Sequence, residues 1–170
     1  MSTVQTTAAD GGQFSAYQAL PADASKPAPG LVLIQEIFGV NHVFRDLAGG
    51  FAAQGYAVLC PDLFWRMEPG VDLTDKTEAE WAKAFELMQN FNIDQGVEDL
   101  RATLGHLRHL PACSGKAGTV GYCLGGQLAY LMATRSGVDC AVSYYGVGIQ
   151  DLVDEASNIS HPLLMHIAAE

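Results

Sequence analysis

Residues 116–126 read KAGTVGYCLGG, and LGGQLAYLMATRSG (124–137) continues from them with its apolar residues at helical intervals. An apolar strand therefore turns sharply into an amphipathic helix at Cys123, with Gly121 two residues before it and Gly125 two residues after. That is the G-x-S-x-G nucleophile elbow with sulfur in place of the hydroxyl. Such a turn strains its central residue and crowds the positions on either side, where only hydrogen fits. At a helix N-terminus the sulfur meets the positive end of the dipole, which favours thiolate, and the amide of Leu124 points toward a developing oxyanion. The plainer alternative is an inert buried cysteine beside a glycine-rich helix start. Neither G-x-G-x-x-G nor G-x-x-x-x-G-K-[ST] can be written here, which disfavours a dinucleotide or phosphate loop.

Outward from the elbow the chain alternates. LVLIQ (31–35) is a short apolar run of the kind buried on both faces of a sheet, VFRDLAGGFAAQG (43–55) has helical spacing, and YAVLC (56–60) is again strand. EAEWAKAFELMQNF (78–91) and VEDLRATLGHLRHL (97–110) are helical; CAVSYYG (140–146) and PLLMHIA (162–168) are strands. Val4–Leu20 alternates around Asp10-Gly11-Gly12, the punctuation of a hairpin, and Pro21–Gly30 is a connection. The expected fold class is α/β: a mostly parallel sheet with helices on both faces and an antiparallel N-terminal β-hairpin at one edge. A single domain over residues 1–170 suffices. No helix follows the last strand to cover its sheet face, so a C-terminal part of the fold is expected to be missing.

The 170 residues are 49% hydrophobic and 16% charged, with apolar runs too short to span a bilayer. A formal net charge of -10, with nine dispersed Lys and Arg residues, argues against nucleic acid and against an anionic membrane surface. No signal peptide is visible at the start, and Cys60, Cys113, Cys123 and Cys140 match no C-x2-C metal or redox spacing. A cytoplasmic protein with no metal and one special thiol is expected. Its oligomeric state is not legible.

The stretches QEIFGVN (35–41), CPDLF (60–64), VGYCLGG (120–126), YYGVG (144–148) and HPLLMHIAAE (161–170) resemble the dienelactone hydrolase (carboxymethylenebutenolidase) family, in family order and across essentially the whole chain. The resemblance implies an α/β-hydrolase fold without cofactor that opens a small lactone or ester, a small-molecule substrate, through an acyl-enzyme. It implies Cys123 as nucleophile, Glu36 as the carboxylate that engages the resting thiol, and the amides of Ile37 and Leu124 as oxyanion hole. Independently, Glu36 stands at the C-terminal end of the first parallel strand, the edge where open α/β sheets place their sites.

Two departures stand out. The resemblance places the family's aspartate and histidine after the strand ending HIAAE, where this sequence ends, with Glu170 near the acid's place but one residue early; His42, near the first βα loop, is a weak candidate against a structural or surface role, and His106, His109, His161 and His166 read as structural or surface residues. The position matching a family arginine for a substrate carboxylate holds Trp81, and a family tyrosine is Phe85; Lys83 and Arg66 are the candidate compensating cations, against an ordinary surface role. Phe38, Trp81, Phe85, Tyr144 and Tyr145 are candidates to line an apolar substrate pocket, against plain core packing. The competing functions are a catalytically silent binding module and a thiol redox protein using Cys123.

Overall fold

In the computed structural model, which describes residues 2–23 and 25–168, one seven-stranded sheet runs in the order β1-β2-β4-β3-β5-β6-β7. The strands are β1 (Ser2–Thr7), β2 (Gln13–Ala19), β3 (Ala28–Ile34), β4 (Ala57–Pro61), β5 (Cys113–Tyr122), β6 (Ala141–Tyr144) and β7 (Leu163–His166). From β4 through β3, β5 and β6 to β7 every pairing is parallel. The β1–β2 hairpin is antiparallel and joins the sheet through β4, which forms the expected antiparallel edge.

The apolar runs explain the layering. Along β3 and β4, Val32, Ile34, Ala57 and Leu59 face one core, and Leu31, Leu33, Val58 and Cys60 face the other. The second core is closed by α1 (His42–Ala53) through Phe44, Ala48 and Ala52. The first is closed by α3 (Ile93–His109) and α4 (Leu124–Arg135), whose buried leucines each contribute about 1.5–3 kcal/mol on leaving water. Preceding α3 is α2 (Glu78–Asn90), capped by Thr77, whose hydroxyl accepts the Glu80 N–H at 3.2 Å. Asn41 and Asn92 cap α1 and α3 in the same way, accepting from Phe44 N–H and Gln95 N–H.

Several boundaries differ from the sequence expectation, three of them for a clear local reason. β3 begins at Ala28, inside the expected connection, because Ala28 already pairs with Cys113. α3 begins at Ile93 because Asn92 supplies a cap. β6 stops at Tyr144 because Tyr145 turns to φ +40°. Two short 3-10 turns, Ile149–Asp151 and Val153–Asn158, were not read from the sequence. Beyond α1, the second sheet face is open over Val120, Val142 and Tyr144, where a groove of about 290 Å³ also touches Phe51 and Tyr56. Leu164 on β7 is 54% exposed. Among the described residues, no helix is long and apolar enough to cross a membrane.

Candidate active site

Cys123 falls between the end of β5 and the start of α4, at φ +54°, a region that side-chain-bearing residues rarely occupy. The flanking glycines are required by contact. A Cβ on Gly121 would collide with the carbonyl of Gly125, and a Cβ on Gly125 with the carbonyls of Ile34 and Gln35. The elbow is also tied to the next strand, with Cys123 N–H donating to Tyr144 O at 3.0 Å and Val147 N–H donating to Cys123 O at 3.3 Å.

Glu36 and Ile37 follow β3, the immediate parallel neighbour of β5, so the loop after β3 and the elbow share one sheet edge. Glu36 is partly buried and accepts from the Tyr145 hydroxyl at 3.2 Å. Burial is the main cause raising its pKa; the Tyr145 hydrogen bond opposes it, and the Asp75 carboxylate adds to it. Ile37 and Leu124 are buried.

The loop carrying Ile37 and Phe38 is held by residues whose positioning roles were not read from the sequence. Buried Gln35 turns its side chain back, accepting from Leu63 N–H at 3.1 Å. Phe38 O accepts Leu73 N–H at 3.0 Å, and Asn41 donates to Leu73 O at 2.9 Å. Gly39, at φ +80°, packs so closely on the Val71 carbonyl that no Cβ could be placed there. Buried glutamine and asparagine side chains are detectable only once their backbone partners, about thirty residues away, are known.

At Cys123 the helix N-terminus, which favours thiolate, is opposed by burial and by the Glu36 carboxylate. The Cys123 thiol is pushed above its ordinary value, first by burial and further by the Glu36 carboxylate, and the Leu124 amide pulling it down is outweighed. A partly buried sulfur beside a carboxylate pays more to ionise than one helix end returns. A thiol held above its ordinary pKa favours a protonated resting group over a standing thiolate.

The candidate lining residues separate into two groups. Phe38, Trp81 and Phe85 form one cluster, with ring centroids 4.9 Å apart for Phe38 and Trp81 and 5.5 Å for Trp81 and Phe85. The Trp81 indole N–H is committed to Asp75 O at 2.9 Å. Tyr144 instead stacks between Tyr122 at 4.8 Å and His166 at 4.3 Å, an aromatic ladder across β5, β6 and β7. Tyr145 stands beside this ladder at Glu36.

Neither candidate cation is free. Lys83 pairs with Glu68 at 2.8 Å. Arg66 is shared between buried Asp99 at 2.9 Å and Asp10 of the hairpin turn at 2.6 Å. Among the described residues no hydrogen bond joins a histidine to Cys123: His106 meets Thr6, His109 meets Gly105 O, and His161 meets Ser160. Glu170 lies outside the described residues. Among the described residues no group of three or more His, Cys, Asp or Glu side chains is arranged to hold a metal ion.

Comparison with known proteins gives the family and the fold. A model of the dienelactone hydrolase family matches residues 14–170. A protein of Azospirillum brasilense is 53% identical over 99% of this chain and 72% of its own length. The carboxymethylenebutenolidase of Pseudomonas putida is 44% identical over 95% of this chain and 67% of its own length. A dienelactone hydrolase-like promiscuous phosphotriesterase from metagenomic libraries superposes with a TM-score of 0.73 at 21% identity, covering 99% of this chain and 69% of that one, and so shares the α/β-hydrolase fold. On the extent of the family match and these identities, the chain belongs to the dienelactone hydrolase family.

Proposed function

We propose that this protein, as one α/β-hydrolase domain, cleaves a small lactone or ester with Cys123 as nucleophile through an acyl-enzyme. The observation that carries the proposal is the backbone of Cys123: a strained, non-glycine residue at the end of a parallel strand, with its sulfur partly exposed beside Glu36. Its family supplies the reaction class, since the P. putida relative bears the name carboxymethylenebutenolidase.

In the proposed reaction the Cys123 sulfur bonds to the carbonyl carbon, and the carbonyl oxygen takes up negative charge that the amides of Leu124 and Ile37 stabilise. Collapse breaks the acyl carbon–oxygen bond, and the thiol proton ends on the departing oxygen, which stays tethered to the acyl group when the substrate is a lactone. Water then cleaves the thioester and restores the thiol. Because the Glu36 carboxylate disfavours ionisation of the thiol, substrate binding must displace or neutralise that carboxylate before attack.

A second function, binding without turnover, is favoured by the raised pKa of the Cys123 thiol, which leaves little thiolate to attack an acyl carbon. The test is release of p-nitrophenol from p-nitrophenyl acetate by the protein and by Cys123→Ala. Sustained release that Cys123→Ala abolishes supports hydrolysis. Release no faster than from the variant supports binding alone.

A further inference from the structure

Among the described residues only two without a glycine backbone have positive φ, Cys123 at 54° and Tyr145 at 40°. The first is the elbow. The second is a bulky aromatic in the left-handed region, a conformation costing about 1–3 kcal/mol that persists only where the surroundings enforce it. Burial does not repay it, because Tyr145 is 46% exposed.

The surroundings do enforce it. Tyr145 N–H donates to His166 O at 2.7 Å, and Tyr144 O is held by Cys123 N–H. Gly126 and Gly146 pack so tightly that a Cβ on Gly126 would fall 2.5 Å from Tyr144 O and 2.8 Å from Gly146 Cα. Had β6 simply continued, Tyr145 would project to the face opposite Tyr144. The left-handed turn instead places its hydroxyl 3.2 Å from Glu36 Oε1, across 109 residues of chain.

We propose that Tyr145 is a positioning residue: its strained backbone aims the hydroxyl that tethers the Glu36 carboxylate beside Cys123. The inference rests on the site proposed above, and it gives Tyr145 a different task from the substrate lining expected of it. The groups around Glu36 are Cys123 at the elbow, Tyr122 at the end of β5, Tyr145 after β6 and Asp75 in the loop before α2. Asp75 and burial oppose the carboxylate's charge, and Tyr145 alone supports it. Burial and Glu36 push the Tyr145 hydroxyl up to about 12, so it remains a donor throughout the range in which Glu36 titrates. Movement of the Glu36 carboxylate away from Cys123 must therefore break or redirect the Tyr145 hydrogen bond.

The test uses protein carrying ¹³C at glutamate carboxyl and tyrosine Cζ carbons, titrated by NMR, with Cys123 alkylation by iodoacetamide followed against pH. Tyr145→Phe keeps the ring and removes the tether; the Glu36 titration should move up by roughly half to one pH unit. The alkylation inflection at Cys123 should shift in the Glu36 protein and stay unmoved when Tyr145→Phe is made on Glu36→Gln. An unmoved Glu36 titration, or equal shifts in both backgrounds, would overturn the proposal. Should Tyr145→Phe fail to fold, the wild-type Tyr145 Cζ resonance must follow the ionisation of Glu36 and lose that inflection in Glu36→Gln; a flat resonance overturns it. No readout requires ester turnover, so failure of the hydrolase proposal and failure of the tether are separate results.

Discussion

The ammonium of Lys83 lies 2.8 Å from the Glu68 carboxylate and 3.7 Å from that of Glu86, turned to partners on its own side of α2. With Arg66 engaged by Asp99 and Asp10, both residues proposed to replace the missing arginine are committed elsewhere. The aromatic cluster of Phe38, Trp81 and Phe85 is accompanied by the carboxylates of Glu36 and Asp75. Under the proposed function, these surroundings favour an uncharged acyl group over an anion.

Trp81→Arg should therefore raise kcat/KM for a carboxylate-bearing lactone by about tenfold, equivalent to about 1.4 kcal/mol, and leave a neutral ester of similar size nearly unchanged. Where turnover is slow, the acylation rate serves equally. Equal changes for both substrates would mean that residue 81 acts through packing. Preference of the wild type for the anion would mean that another residue supplies the charge.

Removing the carboxylate at Glu36 should affect the thiol and the fold together. The carboxylate raises the Cys123 pKa, so Glu36→Gln should lower it and speed alkylation at pH about 7.5 by roughly three- to tenfold. The folded-state pKa of Glu36 is raised by burial. Neutral Glu36 carries no penalty below its unfolded pKa, and stability is lost as pH rises through the folded value. Glu36→Gln should accordingly stabilise the protein by about 1 kcal/mol near neutrality, after discounting for the water that still reaches the carboxylate, and by almost nothing near pH 4 or below. Thermal unfolding at the two pH values checks this, and a gain that is the same at both would contradict it.

What the residues announced in advance was local. Gly121, Cys123 and Gly125 declare the elbow by their spacing: the clash that forbids a Cβ at Gly121 arises within four residues of chain, while the one at Gly125 comes from the Ile34 and Gln35 carbonyls at the end of β3. The runs at 31–34 and 57–60 declare central strands because burial on both faces removes polar alternation. What stayed hidden depends on partners distant in sequence. Asp99 reads as one more exposed helix acid, yet it is buried against Trp65 and Arg66. Gln35 gains its role only from the Leu63 amide, and Tyr145 from Glu36. For the thiol, the helix end that favours ionisation is visible in sequence, and the extent of the burial that opposes it is not.

The central claim is that Cys123 attacks the acyl carbon, and intact-mass spectrometry after brief exposure to p-nitrophenyl acetate tests it most directly. The exposed thiol of Cys140 is the internal control, since simple surface reactivity would acylate it first. The account predicts one acetyl group per chain, mapped by peptide digestion to Cys123, appearing with a stoichiometric burst of p-nitrophenol and absent from Cys123→Ala. An acetyl group on Cys140 alone, or an equal burst from the Cys123→Ala variant, would contradict it.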